Sequence, residues 1–191
     1  MIARAATELI LIRHAPALTG GRLCGRTDVP ADCSDAARIA ALRAAVGDPG
    51  RIVTSPALRC RQTAAALWPV AILDADPALW EQDFGLWDGK EMSDIPDLGP
   101  LSPDDLARHR PPDGESFADL CSRVAPALER LAGGGRVTVV AHAGTVRAAL
   151  ALALGAVPPA LAFEVAPLSL TRLRALSGGG WSVGTVNWGP V

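Results

Sequence analysis

The chain has 191 residues, of which 49% are hydrophobic and 20% charged, and its formal net charge at pH 7 is −2. This length suits one domain with a sizeable core, so we expect a single domain over residues 1–191. Lys90 is the only lysine and there is no basic stripe, which argues against nucleic acid as a partner. The longest apolar stretch, residues 148–157, is about half of the ~20 residues that span a bilayer, and the start lacks the apolar region of a signal peptide. We therefore expect no membrane association and a cytoplasmic location.

The cysteines show no C-x-x-C spacing and have no histidine at zinc-finger distances. Neither a disulfide framework nor a metal site is indicated, and we expect reduced thiols, no bound metal and no cofactor. The four residues are Cys24, Cys33, Cys60 and Cys121.

An apolar run at residues 9–12 predicts the first strand, because a strand without polar alternation is typical of one buried on both faces of a parallel sheet. Arg13 and His14 follow it directly. In open α/β sheets ligands bind beyond the carboxyl ends of such strands, so both residues are candidates for a binding pocket. The next residues, 16–33, are rich in glycine, proline, threonine and aspartate and predict a long loop.

Helices and strands are predicted to alternate after this loop. Ser34 is the predicted N-cap of a helix, and residues 51–54 predict a second strand. Ser55 followed by Pro56 is a strong helix start with the serine as N-cap, and Arg59 lies one turn into that helix. The alternation predicts an α/β fold with a mostly parallel sheet flanked by helices.

Residues 82–113 interrupt this alternation, since they are polar and contain five prolines. A connection of this length inside a compact domain is usually functional, so we interpret it as a lid segment with one short helix near residues 104–110. Glu81 stands at its start, directly after the apolar Leu79 and Trp80.

The second half of the chain returns to the strand and helix pattern. Ser116 and Asp119 form a capping pair that opens a helix. Residues 137–141 predict a strand that ends at His142, and a helix is expected to begin at Thr145. The remaining predicted strands are residues 168–176 and 181–187.

Three strand-to-helix junctions each deliver a basic side chain: Arg13 with His14, then Arg59, then His142. Helix N-termini add free N–H groups and a partial positive charge. Positive charge concentrated in a mildly acidic chain predicts a pocket for a small dianion such as a phosphate monoester. A histidine among arginines is disfavoured in its charged form, so His14 is a candidate nucleophile and Glu81 a candidate general acid.

Five short blocks of the sequence, taken together and in order, carry a family resemblance. They are Leu11-Ile12-Arg13-His14-Ala15, residues 55–64 (Ser-Pro-Ala-Leu-Arg-Cys-Arg-Gln-Thr-Ala), residues 81–89 (Glu-Gln-Asp-Phe-Gly-Leu-Trp-Asp-Gly), Gly114-Glu115-Ser116, and Val140-Ala141-His142-Ala143-Gly144. In this order they resemble the successive blocks of the histidine phosphatase superfamily, also called phosphoglycerate mutase-like.

The resemblance implies a role for each candidate residue. His14 would accept the phosphoryl group, while Arg13, Arg59 and His142 would hold it. Glu81 would donate a proton to the leaving group and later activate water. The implied enzyme is a metal-independent phosphatase with a small phosphate monoester as its substrate.

Three further residues are expected to contact the substrate. Gly25 matches a family glycine whose backbone contacts the phosphoryl group. Arg26 lies in the same loop and could reach a ligand or remain solvated. Ala143 contributes a backbone N–H at the start of a helix.

The sequence departs from the family pattern at Ala15 and Ala143, where glycine is usual. If either position required a positive φ, alanine would cost roughly 1 to 2 kcal/mol. The asparagine that mutases carry after the histidine is not apparent between Ala15 and Gly25, which favours a phosphatase over a mutase.

Residues 25–30 and 114–117 look most like the α-ribazole phosphatases of cobalamin nucleotide-loop assembly, which makes α-ribazole 5′-phosphate the first candidate substrate. The alternatives are a broad-specificity sugar-phosphate or phosphoserine phosphatase, a phosphoglycerate mutase, and a non-catalytic module that binds a phosphorylated ligand. A monomer or a homodimer is expected.

Overall fold

The centre of the fold is a six-stranded sheet with the strand order β3-β2-β4-β1-β5-β6, in a computed structural model that describes residues 6–189. The strands are β1 (Thr7–Arg13), β2 (Arg51–Thr54), β3 (Asp74–Ala75), β4 (Gly135–Ala141), β5 (Leu170–Ala175) and β6 (Trp181–Trp188). Strands β3, β2, β4 and β1 pair in parallel, whereas β5 and β6 join antiparallel. The predicted α/β fold with a mostly parallel sheet is confirmed.

Helices cover both faces of this sheet. They are α1 (Ala36–Val46), α2 (Leu58–Leu67), α3 (Pro103–Arg108), α4 (Phe117–Leu131) and α5 (Ala143–Leu154). On β1, Leu9 and Leu11 pack in the core with α4 and α5, while Ile10 and Ile12 pack in the core with α1 and α2. Side chains alternate between the two faces of a strand, so both faces of β1 are buried, as its unbroken apolar run predicts. No helix within residues 6–189 is long and apolar enough to cross a membrane.

Three predicted helix starts were wrong, because each helix begins at a different residue from the one that its sequence pattern indicated. Asp35, not Ser34, caps α1, because its carboxylate accepts the Arg38 N–H at 3.0 Å while Ser34 is held in a turn by Asp32. Helix α2 begins three residues after Ser55, with no side-chain cap. Helix α5 begins two residues before Thr145, which makes His142 its N-cap.

The predicted lid segment lies along the predicted long loop and is hydrogen-bonded to it. The Leu23 N–H donates to the Lys90 carbonyl at 2.8 Å, and the Gly89 N–H donates to the Leu23 carbonyl at 2.7 Å. The segment contains two 3₁₀ helices (Gly85–Trp87 and Met92–Asp94) and the short helix α3, which Ser102 caps. The loop and the segment together form one wall above the carboxyl ends of β1, β2 and β4.

Candidate active site

The carboxyl ends of the parallel strands bring the two candidate histidines together. Strands β1 and β4 are in register from Thr7 opposite Gly135 to Arg13 opposite Ala141, so His14 and His142 leave the sheet side by side. Their ring centroids are 5.3 Å apart, with the rings edge to face. The structure therefore brings these two strand ends together, as the sequence analysis predicted.

The His14 ring is buried and has one nitrogen free for chemistry. Its Nδ1 atom lies 2.7 Å from the Ala15 carbonyl oxygen, and a carbonyl can only accept, so Nδ1 carries the proton and Nε2 carries a lone pair. The side chain is 5% exposed. Burial is the main cause that lowers the pKa of His14 to about 3, and the charges of Arg59 and Arg13 lower it further. The imidazole is therefore neutral at pH 7, and burial contributes more to this than the arginines that the sequence pointed to.

His142 lies behind His14 and is fully buried, with an exposed fraction of 0%. Its Nε2 atom is 2.8 Å from the Ser55 hydroxyl, and its ring stacks on Trp80 at a centroid distance of 6.4 Å. Burial, followed by the charges of Arg59 and His14, holds the pKa of His142 well below its usual value. The Ser55 hydroxyl also accepts the Ala57 N–H at 3.3 Å, and α2 begins only at Leu58.

Two arginines flank His14, and each is anchored by a backbone carbonyl. Arg13 donates to the Val165 carbonyl at 2.6 Å, and its Nε atom is buried without a hydrogen-bond partner in the described part of the chain. Arg59 is 1% exposed and donates to the carbonyls of Gly25 at 2.7 Å and Thr27 at 3.1 Å. Both guanidinium groups line the same pocket as His14. Fixed cations with donors to spare are suited to hold a phosphoryl group.

The Glu81 carboxyl lies on the other side of this pocket, against the N-terminus of α5. It accepts the Gly144 N–H at 3.4 Å and the Gln82 N–H at 3.0 Å. A Cβ atom on residue 144 would collide with the Glu81 carboxyl oxygen and would lie 2.6 Å from a methyl group of Leu120. Glycine at 144 is therefore required for Glu81 to approach the helix, a requirement that the sequence alone did not reveal.

The pocket has a volume of about 330 Å³ and is lined from both strand ends, the loop and the lid segment. Its lining includes the candidate residues Arg13, His14, Arg59, Glu81 and Ala143, together with Arg22, Gln82, Phe84, Phe117, Gly144 and Arg147.

Three of the residues expected at the substrate lie outside the pocket lining, and one of them is the fully buried His142. Arg26 is not in the pocket lining, because its guanidinium is drawn over the Trp80 ring, 5.6 Å from the ring centroid, and toward Glu115 at 3.7 Å. Gly25 also lies behind the lining: its carbonyl accepts from Arg59 and its N–H faces Asp88 at 3.3 Å.

Arg147 is a pocket residue that sequence reasoning missed. It lies one turn into α5, six residues after the end of β4, and Arg59 follows the end of β2 by five residues; this near-repeat was a signal in the sequence. Its Nε–H donates to the Phe163 carbonyl at 2.9 Å. Within residues 6–189 no group of three or more His, Cys, Asp or Glu side chains is placed to hold a metal ion.

Comparisons with known proteins identify relatives of this chain. The chain is 35% identical over 105 residues to a 6-phosphofructo-2-kinase/fructose-2,6-bisphosphatase of Caenorhabditis elegans, a match that covers 53% of this chain. The chain spans only 23% to 37% of the length of the curated relatives that it matches.

Solved structures match the whole fold. A mycobacterial glucosyl-3-phosphoglycerate phosphatase is 25% identical with a TM-score of 0.81, and the match covers 95% of this chain and 99% of that one. The α-ribazole phosphatase of Shigella flexneri is 20% identical with a TM-score of 0.79, covering 95% and 96%, which is a likeness of fold alone. The family model of the histidine phosphatase superfamily (branch 1) matches residues 9–189. The chain belongs to this superfamily.

Proposed function

We propose that this chain hydrolyses a small phosphate monoester through a phosphohistidine intermediate on His14. The observation that carries the proposal is the His14 imidazole, which is neutral, has Nε2 free and stands between Arg13 and Arg59 on the pocket wall. A neutral lone pair on the wall of a cationic pocket is suited to attack on a phosphate dianion.

The proposed reaction has two steps. His14 Nε2 forms a bond to phosphorus while the ester oxygen leaves and takes a proton from Glu81. Water then attacks phosphorus, the N–P bond breaks, and Glu81 takes a proton from that water. Arg13 and Arg59 hold the phosphoryl oxygens through both steps, while the buried His142 supports the His14 ring, which lies edge to face at 5.3 Å.

Chemical trapping tests this proposal directly. Rapid quench with a radiolabelled phosphate monoester is expected to give a phosphoenzyme that is labile in acid and stable in base. His14→Ala should abolish the label, while His109→Ala, which removes a histidine outside the pocket lining, should retain it. Label that persists in His14→Ala would overturn the assignment.

Two substrate classes fit the proposal. The motifs at residues 25–30 and 114–117 support α-ribazole 5′-phosphate, but Arg26 does not line the pocket where it would contact that ligand. A monoester with a second anionic group is favoured by Arg147, a half-buried pocket arginine that makes no ion pair with any described residue. The related glucosyl-3-phosphoglycerate phosphatase is named for a substrate of this second kind.

Kinetics on matched substrates distinguish the two classes. If kcat/KM for α-ribazole 5′-phosphate exceeds that for 3-phosphoglycerate and phosphoserine by about tenfold, or ~1.4 kcal/mol, the first class is correct. If a phosphorylated acid is preferred, Arg147→Met should lower its kcat/KM but spare p-nitrophenyl phosphate. Arg61→Met, at an exposed position on α2, is the matched control.

A further inference from the structure

The short segment that carries Glu81 is held in place by one arginine of α4. Arg123 donates to the carbonyls of Ala78 at 2.7 Å, Trp80 at 3.1 Å and Glu81 at 3.2 Å. Residues 80–84 have no helix or strand of their own, so their backbone groups need partners from elsewhere in the chain. A single guanidinium supplies partners for two of them, the carbonyls of Trp80 and Glu81, and also binds the Ala78 carbonyl just before the segment.

Glu115 completes this support from the residues just before α4. Its two carboxylate oxygens accept from Arg123 at 2.9 and 2.8 Å, and one of them also accepts the Asp83 N–H at 3.1 Å. Burial raises the pKa of Glu115, but the hydrogen bonds from Arg123 and from the Asp83 N–H outweigh it and lower the pKa on balance. The carboxylate is therefore charged at neutral pH, and the Arg123 fork stays bound to it.

Two neighbouring side chains of the anchored segment belong to the site. The Trp80 ring stacks on His142, and the Glu81 carboxyl meets the Gly144 N–H at the N-terminus of α5. Neither Arg123 nor Glu115 lines the pocket, so neither touches a bound substrate directly. Any effect of the pair on the reaction must pass through the segment that it holds.

We infer that Arg123 and Glu115 are positioning residues that set where the Glu81 carboxyl stands relative to the leaving group. The inference rests on the proposed role of Glu81 as proton donor. A fork that binds a carboxylate on one side and three carbonyls on the other is specific to arginine, since a lysine presents one point charge in place of a planar set of donors. Arg123→Lys should therefore restore only part of the function that Arg123→Met removes.

The readout is the dependence of the rate on the leaving group. An aryl phosphate leaves with little need of protonation, whereas an alkyl phosphate needs the acid. Arg123→Met is expected to lower kcat for glycerol 2-phosphate by about 10- to 100-fold and kcat for p-nitrophenyl phosphate by less than about threefold, with KM nearly unchanged. Glu115→Gln should shift both rates in the same direction by less.

A matched control separates positioning from general damage to the fold. Arg130→Met removes an arginine from the same helix whose ion pair with Asp76, at 3.2 Å, is exposed, and it should leave both rates unchanged. If Arg123→Met does not fold, Arg123→Lys gives the same comparison. Equal losses on the alkyl and aryl substrates where Glu81→Gln distinguishes them, or a change in KM alone, would overturn the inference.

A double-mutant cycle distinguishes this inference from the proposed function. If Arg123 acts through Glu81, adding Arg123→Met to Glu81→Gln should cost no further activity on the alkyl phosphate, whereas additive losses overturn the inference. The single variant Glu81→Gln reports on the proposed function by itself. If it lowers both substrates equally, proton donation by Glu81 is wrong, while a non-additive cycle still supports positioning by Arg123.

Discussion

A single added methyl group at Gly144 should separate the proton donor from the rest of the site. In Gly144→Ala the new Cβ atom would collide with the Glu81 carboxyl oxygen and would lie 2.6 Å from the Leu120 methyl carbon, where ordinary contact begins at 3.4 Å. Leu120 is fully buried and cannot retreat without disturbing the core. The carboxyl is the end of a longer side chain on a half-buried segment, so it is the group that yields.

The size of the effect follows from this geometry. Overpacking a filled site typically costs about 1–3 kcal/mol of stability, so the protein should still fold. The displaced carboxyl loses the Gly144 N–H, already at 3.4 Å, and moves away from the leaving group. A displacement of about 1 Å at a catalytic group can cost about 100-fold in rate. We therefore predict a loss of about 100-fold in kcat/KM for an alkyl phosphate and a much smaller loss for p-nitrophenyl phosphate.

The assay compares both substrates in Gly144→Ala and in Gly133→Ala. Gly133 is the matched control, because a Cβ atom there meets nothing within 4 Å. Urea denaturation of both variants measures the stability change separately from the rate. If Gly144→Ala keeps alkyl phosphate hydrolysis within about threefold of the parent chain, well under the 100-fold that a misplaced acid implies, then Glu81 does not act from this position.

Three further predictions concern the same chemistry. Glu81→Gln should lower alkyl phosphate hydrolysis by about 10² to 10⁴ and p-nitrophenyl phosphate hydrolysis far less; equal losses would mean that Glu81 positions the substrate or binds it. EDTA should leave activity unchanged, and activity that is lost to the chelator and restored by Mg²⁺ or Zn²⁺ would contradict the mechanism. The folded protein holds the pKa of His14 at about 3, whereas the unfolded chain protonates this histidine near the ordinary value of 6.5. The contribution of His14 to stability is therefore fully present above pH 6.5 and is lost as the pH falls from 6.5 toward 3. Urea unfolding at pH 7.5 and pH 5 should show this fall, up to about 1.4 kcal/mol per pH unit for this group, and His14→Asn should make it shallower.

The features that could be predicted from the sequence are those set by local pattern. The run at residues 9–12 has no polar alternation, so it must be buried on both faces, and the polar pair Arg13 and His14 must then stand at the strand's end. The same reasoning places His142 at the end of β4. Parallel pairing of the two strands follows from the alternation with helices, and the proximity of the histidines follows from the pairing.

The residues that were predicted wrongly are those whose side chains contact distant parts of the chain. Ser55 has the local signature of an N-cap, yet its hydroxyl bonds His142, which lies 87 positions away in sequence. Arg26 sits beside the pocket in sequence, yet Trp80 and Glu115 draw its guanidinium to the other side. A local sequence pattern cannot reveal these long-range contacts, because the contacting residues meet only after the sheet has formed.

The two alanines that depart from the family's glycines bear on whether this site can work. A penalty was expected only if either position had a positive φ, and within residues 6–189 the non-glycine residues with positive φ are Asp113, Leu168 and Asn187. Ala15 and Ala143 therefore carry no left-handed strain, and Ala143 opens α5, where alanine is a strong helix former. The position that cannot accept a methyl group is the next one, Gly144, because there the Glu81 carboxyl fills the space. The requirement for glycine at position 144 thus comes from the close approach of the Glu81 carboxyl and not from backbone conformation. Alanine at position 143 therefore leaves the arrangement of the site intact.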